Sequence, residues 1–535
     1  MKDITVKIRR YDPDQDRAPY FKTYTVQVNE GARVLHVLHA IHDTIDPTLS
    51  YRYSCASGQC GSCAVQVNGE PVLACMEEAT DNSTIEPLNL PVKKDLVTDL
   101  VPKLEQIAPF CAKKEIVLPK KADIDAIKPL RDCIECLACV SVCPAMNVTN
   151  FLGPTAMRQE MRLALDSRDC GDRISDAVRD GLFTCTSCQA CWKVCPKNIE
   201  IPGKAIEKLR SHANRRGFTF PRHLEVAALV KSTGRSVVRE KPTFLEQVGD
   251  VIEPDGPVRA TVGFFVGCMY NNRLPQTALD AMEVLKRNGI RVIIPHDQVC
   301  CGSPLIRTGQ ISFLDDLKKK NIDVFRSRGI DTVLTMCAGC GTTLKNDYPK
   351  DKPFKVIDIN ELLTELGIEP PAKLPIKATY HDPCHLLRGQ GVKDEPRQLM
   401  RQVVDLVEMP AICCGSGGGV RSGIPEEATA LGKKRDEEIK KTGADIVISS
   451  CPFCEFHIAS CTDTPVKNIT TVLLEGYRKK DREKSGTAPA SPAKGKGHKP
   501  AAAGKKAVAK KAPVKEPNGS KAPKVSKKKA TGKKS

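Results

Sequence analysis

Residues 133–144, CIECLACVSVCP, carry four cysteines at C-x2-C-x2-C-x3-C with a proline after the last, and the same pattern returns at 185–196 as CTSCQACWKVCP. This spacing is that of a two-cluster iron-sulfur run in which the fourth cysteine of each stretch ligates the other cluster. Crossed ligation predicts one [4Fe-4S] on Cys133, Cys136, Cys139 and Cys195 and a second on Cys185, Cys188, Cys191 and Cys143. Pro144 and Pro196 end each short helical turn and free the chain to deliver its last thiolate to the neighbouring site. Two separate zinc sites would need neither the prolines nor the matched spacing.

Upstream, YRYSCASGQCGSCAVQVNGEPVLAC (51–75) places Cys55, Cys60 and Cys63 at C-x4-C-x2-C with Cys75 as a fourth ligand, the spacing of a plant-type [2Fe-2S] site. Gly58 and Gly61 let the loop turn tightly so that backbone N–H groups face the cluster. The alternation in ITVKIRR, KTYTVQV and CAVQVNGEPVLAC predicts strands with an Asn-Gly hairpin, and ARVLHVLHAIHDTI predicts a helix, together the elements of a β-grasp domain. His36, His39 and His42 on that helix are read as surface or rim residues rather than ligands.

Downstream, Cys268, Cys300-Cys301-Gly302, Cys337 and Cys340 are followed by Cys384, Cys413-Cys414-Gly415, Cys451 and Cys454, so a block with paired cysteines occurs twice. Apolar runs alternate with helical stretches in both copies (RATVGFFVGC, GIRVIIP and DTVLTMC, then IKATYHDPCH and ADIVISSC), predicting a duplicated α/β module with cysteines just past strand ends. Adjacent cysteines on extended backbone point to opposite sides, which suits a multi-metal cluster better than one tetrahedral ion. His381, Asp382, His385 and Arg388 flank Cys384 and are candidates to bond cluster sulfurs or donate protons. Cys111, Cys170 and Cys461 have no partners at ligand spacing and are expected to be buried, inert thiols.

Composition sets the frame. The chain has 535 residues, 25 cysteines and a net charge of +18, but residues 478–535 hold 20 Lys or Arg against 3 Asp or Glu, leaving the body near neutral. That tail has almost no large apolar side chains and is expected to be disordered. The neutral body argues against a specific nucleic-acid binder. With no apolar run of about 20 residues and no signal-peptide core, the chain reads as cytoplasmic, the basic tail allowing peripheral attachment to the cytoplasmic membrane. In a reducing compartment 25 cysteines favour metal ligation over disulfides.

Residues 1 to about 215 resemble the iron-sulfur subunit of succinate dehydrogenase and fumarate reductase, on RYSCASGQCGSCAVQVNGEPVLAC, PLNLPVKKDLVTDL, CIECLACVSVCP, FLGPTAMRQEMRLALDSRD and the second cluster run. The resemblance implies an electron path from a FAD-containing succinate/fumarate flavoprotein through the [2Fe-2S] to the two larger clusters. That family lacks the second cysteine of the last run and holds a [3Fe-4S] there; Cys188 is present, which predicts a [4Fe-4S]. The family's aromatic residues after the first Cys-Pro and its histidine in the second run, beside a quinone, are also missing from CPAMNVTN and CTSCQAC. Residues 259–477, with YHDPCHLLR at 380–388, resemble the CCG domains of heterodisulfide reductases, where such sites carry noncubane [4Fe-4S] clusters acting on disulfides and some copies hold zinc. The whole is most similar to the B components of thiol:fumarate reductases.

The expected architecture is multidomain α+β. It comprises a β-grasp [2Fe-2S] ferredoxin domain (1–105), a helical two-cluster domain (106–215), a linker (216–258), two CCG domains (259–375 and 376–477) and a disordered basic tail (478–535). The expected function is electron transfer between the flavoprotein and a thiol/disulfide couple at the CCG cysteines, which hold one or two further clusters or zinc in one copy. Transfer to a menaquinone-type membrane quinone is the alternative. An electron-transfer subunit for glycolate, lactate or glycerol-phosphate oxidation would leave Cys55 to Cys75 unexplained.

Overall fold

The computed structural model describes residues 1–485 except 116, 147 and 241; most of the expected disordered tail, 486–535, lies outside the described residues. Strands Lys2–Arg10 and Tyr20–Val28 form a full antiparallel hairpin, and Lys2–Arg10 also pairs in parallel with Ser83–Glu86. With Ala64–Val67 and Glu70–Leu73 they make a five-stranded sheet. The helix Val34–Thr44 closes over one face because Val34, Leu35, Val37, Leu38 and Ile41 recur on its inner side. The stretches expected as strands and as a helix take those forms. Asn68 and Gly69 both take positive φ (51° and 81°), as the two-residue hairpin between Ala64–Val67 and Glu70–Leu73 requires.

The next segment is helical. Lys121–Arg131, Pro154–Ala164, Arg173–Arg179 and Glu207–Arg215 surround the two cysteine runs, and Met157, Met161, Ile206 and Leu209 are fully buried among them. Each run ends in a one-turn helix, Ala138–Ser141 and Ala190–Lys193, just before its Cys-Pro.

The module after residue 250 has two parallel sheets. The first runs Lys355–Asp358, Thr332–Thr335, Ala260–Phe265, Ile290–Ile293, with Val251–Ile252 antiparallel at its edge. The second runs Asp405–Val407, Lys377–His381, Ile446–Ser449, Val466–Asn468. The copies share one hydrophobic core, which joins Phe264, Leu285 and Val333 to Tyr380, Ile448 and Tyr477. The helix Ile469–Ser485 of the second copy packs on Pro275–Arg287 of the first, where Tyr477 Oη accepts from Asn288 Nδ2 at 3.1 Å. The second copy therefore extends past its expected end at 477, and helix forms over 478–485 where a tail was expected, because Asp481 pairs with Arg287.

Residues 216–258, expected as a linker, fold against their surroundings. They form the helix Pro221–Thr233 and the edge strand Val251–Ile252, and Phe244 is fully buried in the shared core.

Cys111 and Cys170 depart from expectation. They are exposed and joined in a disulfide, because the bridge Ala112↔Asp169 and the bond from Cys170 N to Cys111 O (2.8 Å) bring together residues 59 apart in sequence. Cys461 is half-buried rather than buried, its Sγ 3.8 Å from Ser460 Oγ. Cys111→Ser is expected to lower stability by about 2–4 kcal/mol through the larger unfolded ensemble while leaving iron content unchanged. Denaturant midpoints and iron assays on the same preparation check both halves.

Candidate metal centres and the path between them

Around Cys55 the backbone curls so that N–H groups of Ser57, Gln59 and Cys60 donate to Cys55 Sγ at 3.3–3.4 Å, while Gly58 N donates to Cys75 Sγ at 3.3 Å. Those donors lower the Cys55 pKa to about 6, so it is a ready thiolate. The loop also packs closely on the first helical run: a Cβ on Gly61, φ +73°, would collide with Ile134 O and Cys136. His39 stacks edge-on with Tyr51 and Tyr53 and meets Tyr51 Oη at 2.7 Å, away from a ligand role.

The two helical runs match in backbone character. Glu135 and Leu137 take left-handed φ of 52° and 58°, and their counterparts Ser187 and Gln189 take 52° and 64°. Four non-glycine residues in this region are costly, and the matched pattern forms concave loops whose N–H groups face inward. The Sγ of Cys185 accepts from Ser187 N (3.4 Å) and that of Cys195 from Ile199 N (3.3 Å). Cys195 lies with Cys133, Cys136 and Cys139, and Cys143 lies with Cys185, Cys188 and Cys191. The fourth cysteine of each run thus crosses to the other group.

In the CCG module the thiols sit at the carboxyl ends of parallel strands. Cys268 and Cys384 begin helices three residues beyond Phe265 and His381, and Cys337 and Cys451 follow Thr332–Thr335 and Ile446–Ser449. All ten are buried. In the first copy Cys268 meets Cys300, Cys301 meets Cys340, and Cys340 meets Cys337; in the second Cys384 meets Cys413, Cys414 meets Cys454 (Sγ–Sγ 3.6 Å), and Cys454 meets Cys451. Cys337 also contacts Cys451, so the two sets touch. Beside that contact Tyr270 Oη donates to Glu455 Oε1 at 2.9 Å and Asn468 Nδ2 donates to the same oxygen at 2.5 Å, locking the copies together.

One join was not legible in the sequence. Cys188 of the second helical run and Cys413 of the second CCG copy interact directly, a contact that with burial pushes the Cys188 thiol well up. Cys384, Ala190 and Val142 enclose them. His385 Nε2 meets Ser187 O at 2.9 Å and Arg388 Nη1 donates to Cys188 O at 3.4 Å. Gly418, φ +63°, lies against Cys185 O so closely that a Cβ would collide. Fully buried Arg210 binds the carbonyls of Leu182, Cys185, Arg307 and Gly418 at 2.6–3.2 Å, clamping helical segment and both copies. Asp382 is instead committed to Arg397, through bonds of 2.9 and 2.8 Å.

Two further residues come from the supposed linker: Ser236 N donates to Cys268 Sγ at 3.4 Å, and Cys300 N donates to Gly234 O at 2.7 Å. Buried guanidinium nitrogens without partners stand near both thiol sets, Arg235 Nη1 beside Cys268 and Arg435 Nε and Nη2 beside Cys414 and Cys384. Unpaired buried cations beside grouped thiols fit an anionic metal-thiolate group. A cleft of about 1140 Å³ reaches Gly58, Cys143, Cys195, Cys188, Arg388 and Cys413. Among the described residues no helix is long and apolar enough to cross a membrane.

Residues 5–105 match the 2Fe-2S iron-sulfur cluster binding domain, 129–199 the 4Fe-4S dicluster domain, and 262–345 and 378–459 the Cysteine-rich domain. The chain is 42% identical to the B component of the fumarate reductase (CoM/CoB) of Methanothermobacter marburgensis, over 89% of this chain and 99% of that one. It is 32% identical to the D component of the dihydromethanophenazine:CoB--CoM heterodisulfide reductase of Methanosarcina acetivorans (54% of this chain, 75% of the other). Its amino-terminal part is 36% identical to the fumarate reductase iron-sulfur subunit of Mycobacterium tuberculosis (39% and 92%). With all three domain types in this order and near-complete coverage, the chain belongs to the family of the fumarate reductase (CoM/CoB) B component, iron-sulfur electron-transfer components of oxidoreductases.

Proposed function

We propose that this subunit passes electrons between a FAD-containing partner that interconverts fumarate and succinate and a thiol/disulfide couple at the CCG cysteines. The observation that carries the reading is the Cys188–Cys413 contact, which joins the ferredoxin-type groups to the CCG thiols without a gap. In this reading Cys55, Cys60, Cys63 and Cys75 hold a [2Fe-2S]. Cys133, Cys136, Cys139 and Cys195 hold one [4Fe-4S], and Cys143, Cys185, Cys188 and Cys191 another. The two five-cysteine sets hold further metal. Bound clusters would supply electrons one at a time, and two such steps with two protons convert a disulfide to two thiols.

The chain's own residues then do three things. Gly61 and Gly418 permit close loop contact, the backbone N–H groups steady the thiolates, and Arg388, Arg435 and Arg235 offset negative charge. The cleft at Cys413 and Arg388 gives a small thiol a route in. The names of the methanogen relatives point to CoM and CoB as that couple.

The test is anaerobic EPR on the native complex reduced with dithionite and then mixed with fumarate, and separately with the CoM–CoB disulfide. Reoxidation by both is expected. Reoxidation by fumarate alone removes the thiol assignment, and by neither, with clusters intact, removes the flavoprotein assignment.

A further inference from the structure

The two CCG copies match in their cysteines but not in the residue that ends the strand three positions before the first cysteine. In the first copy this is Phe265, fully buried in the shared apolar core. In the second it is His381, also fully buried, and neither of its ring nitrogens has a hydrogen-bond partner. A neutral imidazole has one N–H donor and one lone pair. Burying both without partners is costly, and a phenylalanine at the corresponding place in the first copy shows that the strand end does not need the polarity.

The partners are close by. A ring nitrogen of His381 and the sulfurs of Cys414 and Cys454 all lie within 4.8 Å of one another. The two sulfurs are 3.6 Å apart, an edge length suited to one tetrahedral metal. In the first copy the corresponding Cys301 and Cys340 are in contact, and among the described residues no histidine completes a three-ligand group with them.

We propose that His381 is a metal ligand in the second copy, sharing one metal position with Cys414 and Cys454, so that the duplicated module holds one all-thiolate group and one mixed imidazole–thiolate group. The metal is either an iron of the second copy's cluster or a zinc ion; both take a neutral imidazole nitrogen beside thiolates. An imidazole in place of a thiolate makes a centre less negative and raises its potential. This inference rests on the proposed reading that the second copy binds metal.

The experiment uses the native holoprotein, prepared with natural and with 15N-histidine, together with iron, zinc and sulfide analysis. If the metal is iron, pulsed EPR of the reduced protein is expected to show a directly coordinated nitrogen whose frequencies change on 15N-histidine labelling. If it is zinc, zinc-edge X-ray absorption is expected to show imidazole scattering beside sulfur. Either signature should be lost in His381→Phe, which copies the first copy's own residue. It should survive in His385→Gln and His457→Gln, whose imidazoles already meet Ser187 O and Ala428 O; these assign the signal even where the phenylalanine variant does not accumulate. Metal present in the second copy with neither signature overturns the ligand role of His381. Iron no higher than the ferredoxin-type sites require, with no zinc, overturns the metal reading of the CCG module itself, a separate and distinguishable result.

Discussion

Arg210→Met is expected to destabilise the chain by about 3–5 kcal/mol, the cost typical of removing one partner from a buried charged network. The guanidinium is fully buried and donates to four carbonyls drawn from three parts of the chain: Leu182 and Cys185, Arg307, and Gly418. Methionine fills similar volume but leaves those oxygens unsatisfied in a site water does not reach. Lysine keeps the charge with a single point of donation and should fall between the two, because the planar fork is what spans four acceptors. The loss should appear as a lower denaturant midpoint and as faster proteolysis near 216–240, where the helix Pro221–Thr233 meets the Gly418 loop through His223 and Gly419 O at 2.9 Å. An unchanged midpoint would mean that the clamp is incidental to the assembly.

Cys188→Ser is expected to have the largest effect on electron transfer. It removes one thiolate from the group formed with Cys143, Cys185 and Cys191, and at the same time the sulfur that faces Cys413. Replacing residues that merely orient ligands lowers activity by about 10–100-fold; on the proposed function, where Cys188 is a ligand at the join, its loss should cost at least the upper figure in disulfide-dependent turnover. The oxidised variant should show a three-iron type EPR signal, while dithionite reduction of the [2Fe-2S] site remains normal. Cys461→Ser, at a thiol outside both sets, should change neither. Retained disulfide turnover in the Cys188 variant would show that the path does not run through this contact.

The cysteine spacings made each candidate ligand group legible one at a time, because spacing is local: the first three cysteines of each C-x2-C-x2-C-x3-C-P run gather in one loop. The crossing of Cys143 and Cys195 was read from the same matched spacing, the prolines only freeing the chain for it. The contacts between centres did not, because they depend on residues distant in sequence. Gly418 meets Cys185 across more than two hundred positions, and nothing in GSGGGV distinguishes it from a loop that touches only its own ligands. Ser236 lay in a polar stretch with the composition of a connector, although its N–H caps Cys268. The pairing of Cys111 with Cys170 was hidden for the same reason: spacing finds ligands that share a loop, not side chains brought together by a single bridge.

The placement of Cys413 against Cys188 makes the duplicated module polar, although its two halves are alike in topology. Among the described residues only the second copy touches the ferredoxin-type region through a thiol; the first meets the second through Cys337 and Cys451. On the proposed function the thiol groups stand in series rather than on two parallel branches. Damage to the first copy should leave the second chargeable, whereas damage to the second should isolate the first, so halves alike in their cysteines need not be equal in consequence.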